Sequence, residues 1–176
     1  TDAATLEAWV RDVLAHGQGW TDAVFLARAR EAEGETLAGI AELAAAFAPA
    51  RERLAETREQ GAAFARTTAA LTGRDLPAMP YPVAVGAASR ALSLPTATVA
   101  ALYLQAAAGA LVSAAVRFVP LGQTEGQGVL ARLHPLIERL ARAAAAAPLD
   151  AAGRCALRAD IASMQHETME TRIFRS

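Results

Sequence analysis

Apolar residues recur at helical spacing from the first turn of the chain onward. Leu6, Trp9, Val10, Val13 and Leu14 follow the i, i+3, i+4, i+7, i+8 pattern behind an Asp2 or Thr5 cap, and Gly17 with Gly19 closes the run. Thr21-Asp22 offers the next cap, and Val24, Phe25 and Leu26 open a second helix that reaches about Ala32. A third carries Leu37, Ile40, Leu43, Ala44 and Phe47 on one face and is interrupted by Pro49. The charged stretch after it predicts a helix from Ala50 to Leu71, with Leu54, Gly61, Ala65, Thr68 and Leu71 inward and Arg51, Glu52, Glu56, Arg58 and Gln60 outward. The Pro-rich segment from Gly73 to Pro82 reads as a connecting loop, and Val83 to Leu92 as a short helix.

The next stretch is the least ordinary. From Thr96 to Val119 the only charge is Arg117, and apolar positions fall on several helix faces instead of one stripe. A helix apolar nearly all round is buried in protein or in lipid. Its 24 residues would span roughly 36 Å at 1.5 Å each, enough for a bilayer. Residue type argues for protein, because much of the run is Ala, a weakly apolar residue, and it holds Gln105 and several Ser and Thr where a spanning helix is expected to be richer in Leu, Ile and Phe. It is therefore expected to be the long central helix of a multi-helix bundle. A polar loop, Gly122 to Gln127, should follow it. Val129, Leu130, Leu133, Leu136, Ile137 and Leu140 then define a helix from Gln127 to Ala146, which Pro135 should kink or divide near Leu133. Pro148-Leu149-Asp150 recaps a last helix through Leu157, Ile161 and Met164, before a mixed polar tail containing Ile173 and Phe174. No strand-like alternation occurs, so the class is all-α, and 176 residues suit one domain, 1–176.

Composition narrows function mainly by exclusion. With 17 basic and 18 acidic groups and no block of like charge, nothing resembles a nucleic-acid footprint. Every basic residue is Arg, which reads first as compositional bias. The single cysteine, Cys155, excludes an internal disulfide framework and fits a reducing cytosol. A small buried cysteine explains it more simply than a reactive thiol does. His16, His134 and His166 are far apart and form no HxxxH or CxxC pairing, so no metal cage and no cofactor is expected. The Gly residues of GQTEGQG follow no strand and precede no Lys-Ser/Thr, which removes a phosphate loop. His166-Glu167 could make an acid/base pair, but sequence neighbours on a helix do not face each other. Nothing reads as an active site.

Two segments carry a resemblance. LVSAAVRFVPLGQTEGQ (Leu111 to Gln127) and DIASMQHETMETRIFRS (Asp160 to Ser176) resemble the most characteristic stretches of the UreF family of urease accessory proteins, and Thr5 to Arg28 is similar to that family's early helices. The resemblance implies a cytoplasmic all-helical homodimer that is not an enzyme. It implies binding to the accessory protein UreD (UreH), recruitment of the GTPase UreG, and help in delivering nickel to the urease apoprotein. The sequence departs from the family in two places. The N-terminal family segment is absent before Thr1, and Gln165 and Met169-Glu170 stand where the family has Arg and an aromatic pair.

On that reading the partner-binding candidates are Arg172, Ile173, Phe174, Arg175, His166 and Glu167 in the tail, and Gln123, Thr124, Gln127 and Arg117 at the polar loop. Apolar anchors rimmed by Arg match the residue mix enriched at interfaces, and the carboxamides suit interfacial hydrogen bonds. Two other classes stay open: an all-helical enzyme or ligand-binding domain with a pocket beneath Trp9, Trp20 and Tyr103, and a helical membrane protein.

Overall fold

Asp2 starts the first helix as expected. In the computed structural model, which describes residues 2–170, its carboxylate accepts a hydrogen bond from the Thr5 amide at 2.8 Å, and α1 (Ala3–His16) buries Leu6, Val10 and Leu14. Seven more helices follow: α2 (Gln18–Glu31), α3 (Gly34–Ala46), α4 (Arg51–Thr72), α5 (Tyr81–Ser89), α6 (Thr96–Phe118), α7 (Gln123–Ala146) and α8 (Leu157–His166). One 3-10 turn, Leu149–Ala151, lies between the last two, and there is no strand among the described residues. The fold is all-α.

The centre of the bundle is α2 and not, as the sequence suggested, α6. Helix α2 packs on α1, α3, α5, α6 and α7, and is buried continuously from Gly19 to Ala27. It also begins earlier than the Thr21-Asp22 cap that the sequence offered. A Cβ on Gly17 would lie 2.7 Å from the Ala156 Cβ, so glycine lets α1 turn directly into α2 against the segment before α8. Thr21 and Asp22 consequently lie inside the helix and are buried. The Thr21 hydroxyl donates to the Ala152 carbonyl at 2.7 Å.

Helix α6 turns one face to α7 and α2, burying Val99, Ala100, Tyr103, Leu104, Ala108 and Val112, while Leu102, Ala106 and Ala110 are exposed. Alanine costs little when exposed, so an Ala-rich helix needs no complete cover. This helix is nevertheless long and apolar enough to cross a membrane, with only a third of its apolar window (33%) buried.

The expected loop Gly122 to Gln127 is instead the first turn of α7. The Glu125 carboxylate accepts from the Gly122 amide at 2.9 Å, satisfying a first-turn donor and complementing the helix dipole. Pro135 divides nothing, because α7 continues to Ala146. Ala131, whose carbonyl a proline at position 135 cannot serve, is exposed to solvent. Cys155 and Leu71, both expected in the interior, are exposed, and so are Leu157, Ile161 and Met164 of the last helix.

Glu7 ties α1 to α7, accepting from Arg132 Nε at 2.5 Å and from Arg11 Nη2 at 2.9 Å. The Arg132 hydrogen bond, followed by that of Arg11, outweighs partial burial and holds its carboxyl below the usual carboxylate range. A carboxyl lowered in the folded state stabilises the fold above its unfolded pKa and loses that contribution as pH falls through the folded one. Glu7→Gln should therefore lower stability at neutral pH by under about 1 kcal/mol, as for partly exposed pairs. The difference from the parent should vanish in acid, as measured by urea unfolding across pH.

Candidate functional site

A partly buried polar cluster sits where α2, α4 and α6 converge, and the buried Asp22 is its hub. Its Oδ2 accepts from Arg53 Nη2 at 3.0 Å and from the Tyr103 hydroxyl at 2.8 Å, and its Oδ1 accepts from Gln18 Nε2 at 2.6 Å. Arg53 also donates to Glu56 at 2.8 Å, and Gln60 donates to Glu56 at 3.0 Å. Burial alone would lower the Arg53 guanidinium pKa, but the Asp22 and Glu56 carboxylates more than offset this and raise it. Burial, followed by the Asp22 charge, pushes the Tyr103 phenol well above its ordinary value.

These groups form one side of a cavity of about 790 Å³. Trp9, Val13, Phe64, Tyr81, Ala106 and Leu111 supply its apolar walls, and Ala159 and Ser163 of α8 edge it. Phe64 meets Tyr81 edge-on with ring centroids 5.8 Å apart, and Tyr81 lies 5.6 Å from Tyr103. The Tyr81 amide donates to the Thr57 hydroxyl at 3.1 Å, fixing α5 on α4.

The pocket imagined from the sequence thus exists, and convergent polar residues exist with it. Trp9 and Tyr103 line it, whereas Trp20 lies elsewhere, with Nε1 donating to the Ala151 carbonyl at 2.7 Å and the Arg154 guanidinium 3.6 Å over its ring. Sequence reasoning missed Gln18, Asp22, Arg53 and Glu56. The available signal was an Asp just ahead of the apolar run Ala23 to Ala27, which reads equally well as a cap when the helix start is placed at Thr21. Chemically the cluster is closed. Its carboxylates are occupied by guanidinium, phenol and amide donors, and its phenol is held protonated, so it presents neither a base nor a nucleophile. No group of three or more His, Cys, Asp or Glu suited to a metal occurs among the described residues.

The sequence-predicted partner residues fall into two described groups. Arg117, in the last turn of α6, and Gln123, Thr124 and Gln127, in the first turns of α7, are exposed around one helical hairpin turn. His166 and Glu167 lie at the end of α8 against the start of α4. His166 Nδ1 is 2.7 Å from Glu52 Oε2, and Glu167 accepts from the Arg51 and Glu52 amides, the latter at 3.2 Å. Arg172, Ile173, Phe174 and Arg175 lie outside the described residues.

Comparison with known proteins extends over nearly the whole chain. Residues 1–134 match the sequence model of the family described as UreF. The Urease accessory protein UreF of Cereibacter sphaeroides (strain KD131 / KCTC 12085) is 61% identical over 175 residues, covering 99% of this chain and 82% of that protein. The Urease accessory protein UreF of Dinoroseobacter shibae is 53% identical over 175 residues, again 99% of this chain and 82% of its own length. That of Paracoccus denitrificans is 54% identical over 174 residues, covering 98% and 80%. The family match stops before α8, and these relatives carry the similarity through it.

Proposed function

The chain belongs to the UreF family of urease accessory proteins and is not an enzyme, and from that premise we propose that it binds UreD (UreH), recruits the GTPase UreG, and helps deliver nickel to the urease apoprotein. It works in the cytoplasm as a homodimer, with nickel as cargo of the assembly. The observation that carries this reading is 61% identity over 175 residues to a urease accessory protein, through α8 to the tail. The exposed residues around the α6–α7 turn support a partner surface there. The closed chemistry of the Asp22 cluster gives no competing reaction.

Within this reading Arg172 is the main anchor for UreG. A guanidinium can clamp a partner carboxylate through two parallel hydrogen bonds, with Ile173 and Phe174 burying apolar surface beside it. Removing one partner of a buried, hydrogen-bonded charge pair costs about 2–5 kcal/mol, so Arg172→Ala should weaken UreG capture at least about thirtyfold. Arg172→Lys should rescue it poorly. The test is a pull-down of UreG by the variant in complex with UreD, beside a melting curve of the variant alone. Undiminished UreG retention would take the tail out of the interface, and a lowered melting temperature would make Arg172 a structural residue.

A further inference from the structure

The cavity beside the Asp22 cluster is unbalanced in charge. Among the described residues three charged side chains line it, and Asp22 and Glu56 exceed Arg53 by one negative charge. Asp22 is fully engaged, because Arg53, Tyr103 and Gln18 all donate to it. Glu56 keeps capacity to spare. Its Oε2 accepts from Arg53 and its Oε1 from Gln60, which uses about half of the roughly four acceptor sites of a carboxylate. Its side chain is 27% exposed, so an incoming donor can reach it. An excess negative charge among apolar walls is costly, and a cation relieves it.

The rest of the lining states what kind of cation. Trp9, Phe64, Tyr81 and Tyr103 bring four aromatic rings to the same space, and the faces of such rings attract ammonium groups. Trp9 is 42% exposed, although it lies on the first helix among buried apolar residues, so its indole is free to receive a ligand. The volume, about 790 Å³, falls in the range of sites for small molecules. We propose that this cavity binds a small aryl-alkyl amine as its protonated form, with the ammonium donating to Glu56 and the ring against the aromatic wall. A carboxylate ligand would meet the excess negative charge and be rejected, and an alcohol of the same shape would forgo the charge-assisted hydrogen bond. The proposal does not depend on which proteins the chain binds.

Three indoles of similar size test it by titration calorimetry on the full chain: tryptamine, which is a cation at neutral pH, tryptophol, which is neutral, and indole-3-propionate, an anion. Tryptamine should bind roughly tenfold more tightly than tryptophol, with indole-3-propionate weakest. Glu56→Gln keeps an acceptor for Arg53 while removing the excess charge, and should bring tryptamine down to the level of tryptophol. Ala106→Phe, at an exposed wall position on α6, fills the cavity and should weaken tryptamine binding; it serves as the test where Glu56→Gln does not fold. Equal binding of the three indoles would show an apolar cavity without the ammonium preference and overturn the proposal. So would no measurable heat with tryptamine, a preference that survives Glu56→Gln, or binding that Ala106→Phe leaves unchanged.

Discussion

Asp22→Ala is expected to destabilise the protein by about 3–5 kcal/mol, the range for removing one partner from a buried charge pair. Asp22 is 4% exposed and receives Arg53, the Tyr103 hydroxyl and the Gln18 amide at once. Alanine would leave a phenol and part of a guanidinium without an acceptor, while Glu56 would still be bonded to Arg53. In a chain of this size each kcal/mol moves the melting temperature by about 2–4 °C, so a fall of roughly 10 °C is expected. Asp22→Asn keeps an acceptor oxygen and should lose less. Chemical denaturation of the three proteins decides the matter, and a loss below about 1 kcal/mol in Asp22→Ala would show that water or Glu56 replaces the carboxylate.

Gly61→Ala should also be strongly destabilising, against the direction that helix propensity gives. Exchanging Gly for Ala inside a helix favours the helix by about 1 kcal/mol. At Gly61, however, the new Cβ would lie 1.7 Å from the Met79 carbonyl oxygen and 3.0 Å from the Tyr81 amide nitrogen, and both are backbone atoms. Neither can rotate aside, so α4 and the start of α5 would have to separate and strain the Thr57–Tyr81 hydrogen bond one turn away. The net loss should be about 2–3 kcal/mol or more, as in overpacked cores. Gly39 in α3 is the control, with nothing within 4 Å of its missing Cβ. Gly39→Ala should leave stability equal or raise it by up to about 1 kcal/mol. Opposite signs in thermal melts are the expected result, and a stabilised Gly61→Ala would mean that the two helices are not in contact there.

The sequence by itself determined the helices, the class and the family. Period-3.6 apolar spacing, caps such as Asp2 and breakers such as Gly73 and Pro95 are local, because a helix closes its hydrogen bonds within four residues. The motif segments around Leu111 to Gln127 and after Asp160 were enough for the resemblance to the UreF family, which the comparisons bear out. Arrangement was not legible, because periodicity marks a face without saying what covers it. Helix α2 carries Asp22, Arg28 and Arg30, yet it is central because each of these charges is answered from a distance. Arg53 meets Asp22, the Ala145 carbonyl accepts from Arg28 at 2.6 Å, and the Leu92 and Leu94 carbonyls accept from Arg30 at 2.9 and 2.6 Å. Helix α6 looked central because alanine is apolar, but alanine gains so little from burial that it does not fix which face turns inward. The same holds at α8, where the stripe Leu157, Ile161 and Met164 was visible and its outward direction was not. That direction, like the assembly of the Asp22 cluster, is set by contacts between residues dozens of positions apart, and only the tertiary structure decides them.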